Sequence, residues 1–234
     1  MRASIHARYS RRTVLKGGAA LGVGAAAFSI LGAPAFGAAA SAGAAPLDSD
    51  LDILNYALVL EYLEAAAYKA VNDAGVLSGR AATYFRAFGQ HDQAHVDALL
   101  ATIPKLGGTP VARPAFNFSG VPTNAAEIVK FFQMVESVGV SAYLGAAGAI
   151  KNFDVLEAAL SIHAIEAEHA AALADLVSPG SDLFAPEAFQ TARTPEQVLQ
   201  IVAPFLAAWP PVPGMPNTGG GFAASLGSNR SALR

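Results

Sequence analysis

The sequence contains no cysteine. Disulfides, cysteine-ligated zinc and iron–sulfur clusters are therefore excluded, and any bound metal must be held by carboxylate oxygens and imidazole nitrogens. Charged residues are also scarce, at 14% of the 234 residues, against 53% hydrophobic residues. A chain of this length and composition can form one ordinary domain with a sizeable core, together with additional segments.

The N-terminal segment lacks acidic residues, since the first acid is Asp48. An apolar run of about 13 residues follows a basic start, which is shorter than the roughly 20 residues of a membrane-spanning helix. The stretch 10–16, Ser-Arg-Arg-Thr-Val-Leu-Lys, resembles the twin-arginine export signal, with Arg11 and Arg12 as the pair. We therefore expect residues 1–45 to be a signal peptide that engages the twin-arginine export machinery. The protein is then periplasmic or extracellular. The alternatives are an ordinary secretory signal or a basic disordered arm.

The chain after residue 45 is acidic. It contains ten basic residues and 18 acids, a net charge near −8, with no basic cluster and no long apolar run. This composition argues against nucleic-acid binding and against a membrane span in the mature protein. A homo-oligomer is compatible with it.

Four long segments have the periodicity of amphipathic helices rich in alanine and leucine, at about residues 49–73, 79–103, 124–150 and 154–178. We denote them helices A to D. Asn124 with Glu127, and Asp154 with Glu157, form capping-box patterns at the starts of helices C and D, while Pro104 is expected to end helix B. Thr194-Pro195-Glu196-Gln197 predicts a short fifth helix. The sequence from residue 210 onward is rich in proline, glycine and serine and is typical of a flexible or surface-bound tail.

The loop lengths predict the topology. Helices A and B, and helices C and D, are joined by a few residues, so each pair is an antiparallel hairpin. Helices B and C are joined by about twenty residues containing four prolines. A loop of that length is uncommon inside a compact domain unless it must run along the bundle. The fold class is therefore all-α, a ferritin-like four-helix bundle at residues 46–178, followed by a C-terminal region at 179–234. A plain up-and-down bundle with a decorated loop is the alternative.

Acidic and histidine residues recur at matching positions in the two hairpins. A lone carboxylate on the first helix, Glu61 or Glu136, is followed 30 or 31 residues later by a carboxylate-x-x-His motif on the second helix. Spacing of i, i+3 places both side chains of such a motif on one helix face. The pattern is that of di-metal carboxylate bundles, and two divalent cations would cancel its four negative charges. The expected ligands are Glu61, Asp92, His95, Glu136, Glu166 and His169.

Several assignments have alternatives. Glu64 could replace Glu61 as the ligand, the other residue being an exposed helix charge. Asp92 could be a solvated charge, with the adjacent His91 as an alternative ligand. His95 and His169 could be core histidines. We expect His163 to be a core or outer-sphere residue, and Tyr68 and Tyr143, each seven residues after a lone carboxylate, to be core aromatics that can orient ligands.

The segments Asp52–Leu58, Leu60–Glu64, His91–Val96, Glu136–Tyr143 and Ile165–Ala170 resemble bacterial ferritin-like domain proteins related to plant desiccation-related proteins. The resemblance covers roughly residues 48–178 and implies a site for two iron or manganese ions. Asp92 stands where this family more often has glutamate. Because aspartate is one methylene shorter, we expect one metal position to be weaker than the other.

Two functions follow from these patterns. The first is a redox metal protein with ferroxidase, oxidase or catalase-like chemistry, active in oxidative or metal-handling stress. The second is a metal-free structural or desiccation-protective bundle without catalysis, which the resemblance to the plant proteins also implies. The metal content of the protein discriminates between them.

The export prediction can be tested on the two arginines. Replacing Arg11 and Arg12 together by lysine should leave the precursor in the cytoplasm, because the export machinery recognises the arginine pair. Cell fractionation followed by immunoblotting measures this. Normal export of the double variant would contradict the assignment.

Overall fold

The computed structural model describes residues 47–207. Four long helices dominate this part of the chain: α1 (Asp50–Ala74), α2 (Gly79–Lys105), α3 (Ala125–Ala147) and α4 (Phe153–Val177). The short helix α5 (Pro195–Val202) follows, and single 3₁₀ turns lie at Asp182–Phe184 and Ala203–Phe205. Helices α1 and α2 form one packed hairpin, and α3 and α4 form the other. The described residues contain no β-strand.

The relative directions of the helices confirm the ferritin-like connectivity. Ile103 at the end of α2 and Tyr143 near the end of α3 belong to the same apolar cluster. Helices α2 and α3 therefore run parallel, and the segment between them must return along the length of the bundle. A plain up-and-down bundle would make these two helices antiparallel, so that alternative is excluded.

Buried side chains from all four helices form two apolar layers. The aliphatic layer contains Leu54, Leu58, Leu99 and Ile162, among others. The aromatic layer lies towards the other end of the bundle and contains Tyr68, Phe85, Phe88 and Phe132. The ring centroids of Tyr68 and Phe132 are 4.5 Å apart, and those of Tyr68 and Phe85 are 5.1 Å apart. The candidate site lies between these two layers.

A buried asparagine anchors the crossover. Asn55 of α1 accepts a hydrogen bond from the backbone N–H of Val111 at 2.7 Å and donates to the carbonyls of Leu51 and Thr109. Further along, the crossover pairs with the C-terminal segment, where Asn117 N–H donates to the carbonyl of Phe205 at 2.8 Å. These bonds pair backbone groups of the long loop and fix it to α1 and to the C-terminal segment.

Helix α5 covers one side of the bundle. Its apolar residues Val198, Leu199 and Val202 pack in a third cluster with Leu60 of α1 and Val138 of α3. The segment that precedes α5 is fixed to α3 through Arg193. Its guanidinium donates to Ser141 Oγ at 2.7 Å, and its backbone N–H donates to the Ser141 carbonyl at 3.0 Å.

Helix boundaries differ from the sequence predictions in three places. Helix α4 begins at Phe153 with Asn152 as its N-cap, whose side chain accepts from the N–H groups of Asp154 and Val155, so the capping box predicted at Asp154 is wrong. Helix α2 continues through Pro104 to Lys105, because a proline in the last turn removes only one helical hydrogen bond. Helix α3 ends at Ala147, three residues before the predicted end.

Other helix ends confirm the capping signals. The Asn124 side chain accepts from Glu127 N–H at 3.0 Å, and Thr194 and Gln197 form a complete capping box. Among residues 47–207, no helix has both the length and the apolar character needed to cross a membrane. The predicted signal peptide, with Arg11 and Arg12, and the predicted tail from residue 210 onward lie outside the described residues.

The close approach of Arg193 to α3 makes Gly145 a sensitive position. A Cβ atom at Gly145 would lie 1.9 Å from the Arg193 carbonyl oxygen. We expect Gly145→Ala to displace this segment and lower the free energy of unfolding by about 1–3 kcal/mol, as overpacking does. Chemical denaturation measures the change.

Gly148 provides the matched control. It is the C-cap residue of the same helix, and a Cβ atom there would meet nothing within 4 Å. Gly148→Ala should therefore be neutral or stabilising by up to about 1 kcal/mol, since alanine reduces the entropy of the unfolded chain. Equal destabilisation by both substitutions would contradict a specific contact at Gly145.

Candidate metal centre

One layer of the bundle collects acidic and histidine side chains from all four long helices. Helices α1 and α3 each contribute a lone glutamate, and α2 and α4 each contribute a carboxylate-x-x-His pair. Five of these six side chains are at most 2% exposed, and the side chain of His95 is 12% exposed. The structure thus brings together all six predicted ligands: Glu61, Asp92, His95, Glu136, Glu166 and His169.

The first donor group surrounds His95. Its Nδ1 lies 3.2 Å from Glu61 Oε2, with which it forms a hydrogen bond, and 3.1 Å from Glu166 Oε1. With Asp92, these residues offer four donor atoms that all lie within 4.8 Å of one another. The group combines both helices of the first hairpin with α4 of the second.

The second donor group surrounds His169. Its Nδ1 lies 3.4 Å from Glu136 Oε2 and 3.8 Å from Asp92 Oδ1. Glu136, Glu166 and His169 offer three donor atoms within 4.8 Å of one another. Glu166 belongs to both groups, so its carboxylate lies between the two histidines. Asp92 belongs to the four-donor group. The expectation that one of the two positions binds its metal ion more weakly stays a prediction.

Two tyrosines connect the hairpins reciprocally. The Tyr143 hydroxyl of α3 donates to Glu61 Oε1 of α1 at 2.6 Å, and the Tyr68 hydroxyl of α1 donates to Glu136 Oε1 of α3. Burial and the neighbouring carboxylates raise the pKa of both phenols, so both remain protonated donors. Each tyrosine therefore fixes the lone glutamate of the opposite hairpin.

Several buried polar atoms in this layer have no hydrogen-bond partner among the described residues. They are both carboxylate oxygens of Asp92, both of Glu166, Glu136 Oε2 and His169 Nδ1. Leaving buried carboxylates unpaired is costly, by several kcal/mol for a charged group. All of these unpaired atoms belong to residues of the two donor groups.

Burial and mutual repulsion perturb the pKa values of the cluster. Desolvation raises the pKa of Glu136 to about 7, and desolvation together with Glu136 raises that of Glu166 to about 8. Burial and neighbouring carboxylates also raise the pKa of Glu61 and Asp92. Burial opposes protonation of His95, but its contacts with Glu166 and Glu61 outweigh burial and raise its pKa to about 10. Without a metal ion, the cluster therefore retains protons.

Glu64 is a fifth buried carboxylate beside the cluster. It is 4% exposed, so the expectation that either Glu61 or Glu64 is an exposed helix charge is wrong. It belongs to neither donor group. Burial, and then Glu166 and Glu61, raise its pKa well above the ordinary value. A Cβ atom at Gly139 would lie 3.0 Å from Glu64 Oε1 and 3.5 Å from Glu166 Oε2, so this glycine leaves room for both carboxylates.

Gly139 is a site residue that the sequence did not reveal. The signal that could have found Gly139 is its position three residues after Glu136, on the helix face that bears the lone carboxylate.

His91 supports a ligand position from outside. It is exposed and lies in neither donor group, but its Nδ1 forms a 2.9 Å hydrogen bond with His169 Nε2. Since Nε2 is engaged in this way, Nδ1 of His169 is the nitrogen that faces Glu136. Burial, and then His169, lower the pKa of His91, consistent with a neutral ring. A hydrogen bond of this kind fixes the tautomer and orientation of a metal-binding histidine.

His163 lies apart from these contacts. It is half-buried, and its Nδ1 is 3.1 Å from the Val140 carbonyl oxygen of α3. The structure places it as a link between α3 and α4, and it belongs to neither donor group. This position agrees with a core role.

The fold and the cluster define a class of protein: a four-helix bundle with one crossover, whose core can bind metal ions through carboxylates and histidines. The family model for the ferritin-like domain matches residues 49–179, more than half of the chain. The chain belongs to the ferritin-like domain family, which confirms that part of the sequence prediction. No curated protein is significantly similar to the chain in sequence. The relation to desiccation-related proteins stays a prediction.

The raised pKa values predict the pH dependence of stability in the metal-free protein. Between pH 5 and 8 the unfolded chain has largely lost the carboxyl protons that the folded chain still keeps. Each such proton lowers the free energy of unfolding by about 1.4 kcal/mol per pH unit. The raised pKa of His95 acts in the same direction above about pH 6.5, and the lowered pKa of His169 opposes it near that pH. Stability should therefore fall from about pH 5 to 8.

Denaturation of the chelator-treated protein at several pH values measures this slope. Glu136→Gln should make the slope shallower, because one titrating carboxyl is gone. Glu127→Gln, at an exposed position of the same helix, should leave it unchanged. Stability that is flat or rises with pH in the metal-free protein would contradict the raised pKa values.

Proposed function

We propose that this protein binds two divalent metal ions, iron or manganese, in the layer formed by Glu61, Asp92, His95, Glu136, Glu166 and His169. The observation that carries the proposal is the pair of donor groups sharing Glu166, with buried carboxylate oxygens that have no hydrogen-bond partner among the described residues. Carboxylate and imidazole ligands without thiolate are the donor set of di-iron and di-manganese bundles.

The charge of the cluster fits two divalent cations. Four carboxylates with two neutral histidines carry four negative charges, which two such cations neutralise. Glu64 adds a fifth carboxyl, and its raised pKa favours the protonated form beside an already neutral centre. Protons now shared by the carboxylates and His95 would be released on metal binding, so affinity should increase with pH.

The roles of the protein residues follow from their contacts. Glu166, which belongs to both donor groups, would help to hold both metal ions, while Glu61 and Glu136 would each help to hold one. Tyr143 and Tyr68 orient these two glutamates, and His91 orients His169. Bound iron or manganese would supply reversible one-electron chemistry with dioxygen or peroxide. The surrounding apolar layers exclude water from the reacting centre.

We also propose that the protein reaches the periplasm or the extracellular space by twin-arginine export and serves there in oxidative or metal-handling stress. The support is the Arg11-Arg12 motif and the acidic composition of the remaining chain. A route that moves folded proteins suits a bundle that has already bound its metal ions.

The alternative, a metal-free protective bundle, has a physical difficulty. Five carboxyl groups and two histidines in one buried layer are destabilising without cations, and apolar residues of similar size would stabilise a purely structural core better. The metal content of protein isolated from its native host distinguishes the two functions. About two iron or manganese ions per chain supports the proposal, and protein isolated with neither metal supports the alternative.

Glu136 offers the sharpest test of the centre. Glu136→Ala removes a donor from the His169 group, so the metal content should fall while the helical content is retained. The metal-free variant should be at least as stable as the metal-free wild type, because one buried carboxylate is gone. Mass-spectrometric metal analysis and circular dichroism measure these outcomes.

Glu127→Ala on the same helix is the matched control, since Glu127 is exposed and outside both donor groups. It should retain the wild-type metal content. Unchanged metal stoichiometry in folded Glu136→Ala would show that the centre is not the one described.

A further inference from the structure

An apolar cavity lies one helical turn from the candidate metal centre. Its lining includes Ala57 of α1, Leu99 of α2 and Ile162 of α4. These residues are each four positions from a predicted ligand, namely Glu61, His95 and Glu166. Four residues of helix correspond to about 6 Å, and in this bundle all three steps lead in the same direction. The cavity is therefore directly beneath the cluster, within the aliphatic layer.

Tyr143 separates the cavity from the cluster. Its ring lines the cavity, while its hydroxyl donates to Glu61 at 2.6 Å. The lining also includes Ala98 of α2 and Ala158 of α4, which are exposed. The cavity thus extends from the surface between α2 and α4 to the tyrosine that holds a predicted ligand.

The residues that line the cavity favour an apolar ligand. Nearly all of it is alanine, leucine, isoleucine and valine side chains, and Thr102 adds a hydroxyl that donates to the Ala98 carbonyl at 2.8 Å. The Tyr143 hydroxyl is likewise engaged. The Tyr56 hydroxyl has no partner in residues 47–207, so at most this one group could hold a water molecule. Buried water requires two to four polar partners, and apolar cavities without them stay dry.

The volume of the cavity limits the size of the molecule that it can bind. The cavity measures about 50 Å³. A single water molecule needs roughly 10–15 Å³ by this measure, and a dry cavity of roughly 150 Å³ accommodates benzene. The available space therefore suits a diatomic molecule or a xenon atom and is too small for an aromatic ring.

We propose that this cavity is a binding site for dioxygen, which enters between α2 and α4 and is held beside Tyr143 before it reaches the metal centre. The supply of dioxygen to the metal centre, here called the supply role, rests on the proposed function. The binding of a small apolar molecule in the cavity does not. In the reaction to be supplied, two iron(II) ions held by the cluster would each give one electron, and dioxygen would take both electrons and two protons to form hydrogen peroxide.

Xenon tests the cavity independently of any metal. Crystals of the metal-free protein under xenon pressure should show a xenon atom among Ala57, Leu99 and Tyr143. Ala159→Leu places a larger side chain on a half-buried lining position of α4 and should abolish the xenon peak. Ala164→Leu, at an exposed position of the same helix outside the lining, should retain it. Ordered water instead of xenon in the wild type would overturn the proposal.

Oxidation of bound iron(II) tests the supply role. Stopped-flow absorbance at varied dioxygen concentration should show a several-fold slower second-order rate in Ala159→Leu than in Ala164→Leu, with equal iron content. Ala98→Leu, at the surface end of the cavity, provides a second blocked variant if Ala159→Leu folds poorly, and Ala101→Leu is its exposed control on α2. Unslowed oxidation in a blocked variant with full iron content would overturn the supply role.

The two proposals fail in different ways. If the wild-type chain binds no iron, the proposed function is wrong and the supply role falls with it. Xenon occupancy then still decides whether the cavity accepts a small apolar molecule. If iron binds and xenon does not, the metal centre stands and the cavity proposal is wrong.

Discussion

The mutual repulsion of buried carboxylates is the constraint on which this bundle depends. Glu61, Glu64, Asp92, Glu136 and Glu166 are each at most 4% exposed within a single layer of the core. Two hydrogen-bonding tyrosines and one protonated histidine cannot compensate five carboxylates, so the metal-free protein must retain protons there. Divalent cations in this layer would replace those protons and convert repulsion into attraction.

The buried carboxylates are contacted by side chains from both hairpins. His95 approaches the glutamate of its own hairpin and the carboxylate of α4, and each tyrosine reaches across to the other hairpin. Binding at either donor group would therefore hold the two hairpins together. The crossover and helix α5 close the outside of α1 and α3, with Asn55 and Arg193 satisfying backbone groups that the long connections would leave unpaired.

The apolar layers on either side give the centre its environment. The aromatic layer is tightly packed around Tyr68, whereas the aliphatic layer retains a cavity of about 50 Å³ next to Tyr143. The same tyrosine positions Glu61 and forms the wall of that cavity. A water-poor surrounding strengthens the electrostatic interactions within the cluster. Small apolar molecules are the ones that such a surrounding admits most readily.

The sequence by itself determined the four long helices and, through the loop lengths, their connectivity. It also determined which acidic and histidine side chains share a helix face, because i, i+3 spacing fixes this, while their role as metal ligands stays a prediction. The repeat of Glu61 and Tyr68 at Glu136 and Tyr143 also predicted two related halves. Only the tertiary structure decided which carboxylate meets which histidine, that Glu64 is buried, that His91 holds His169, and that Gly139 leaves room for two carboxylates. These features depend on contacts between different helices, whose lateral packing and rotation are set by the whole core and not by any local spacing.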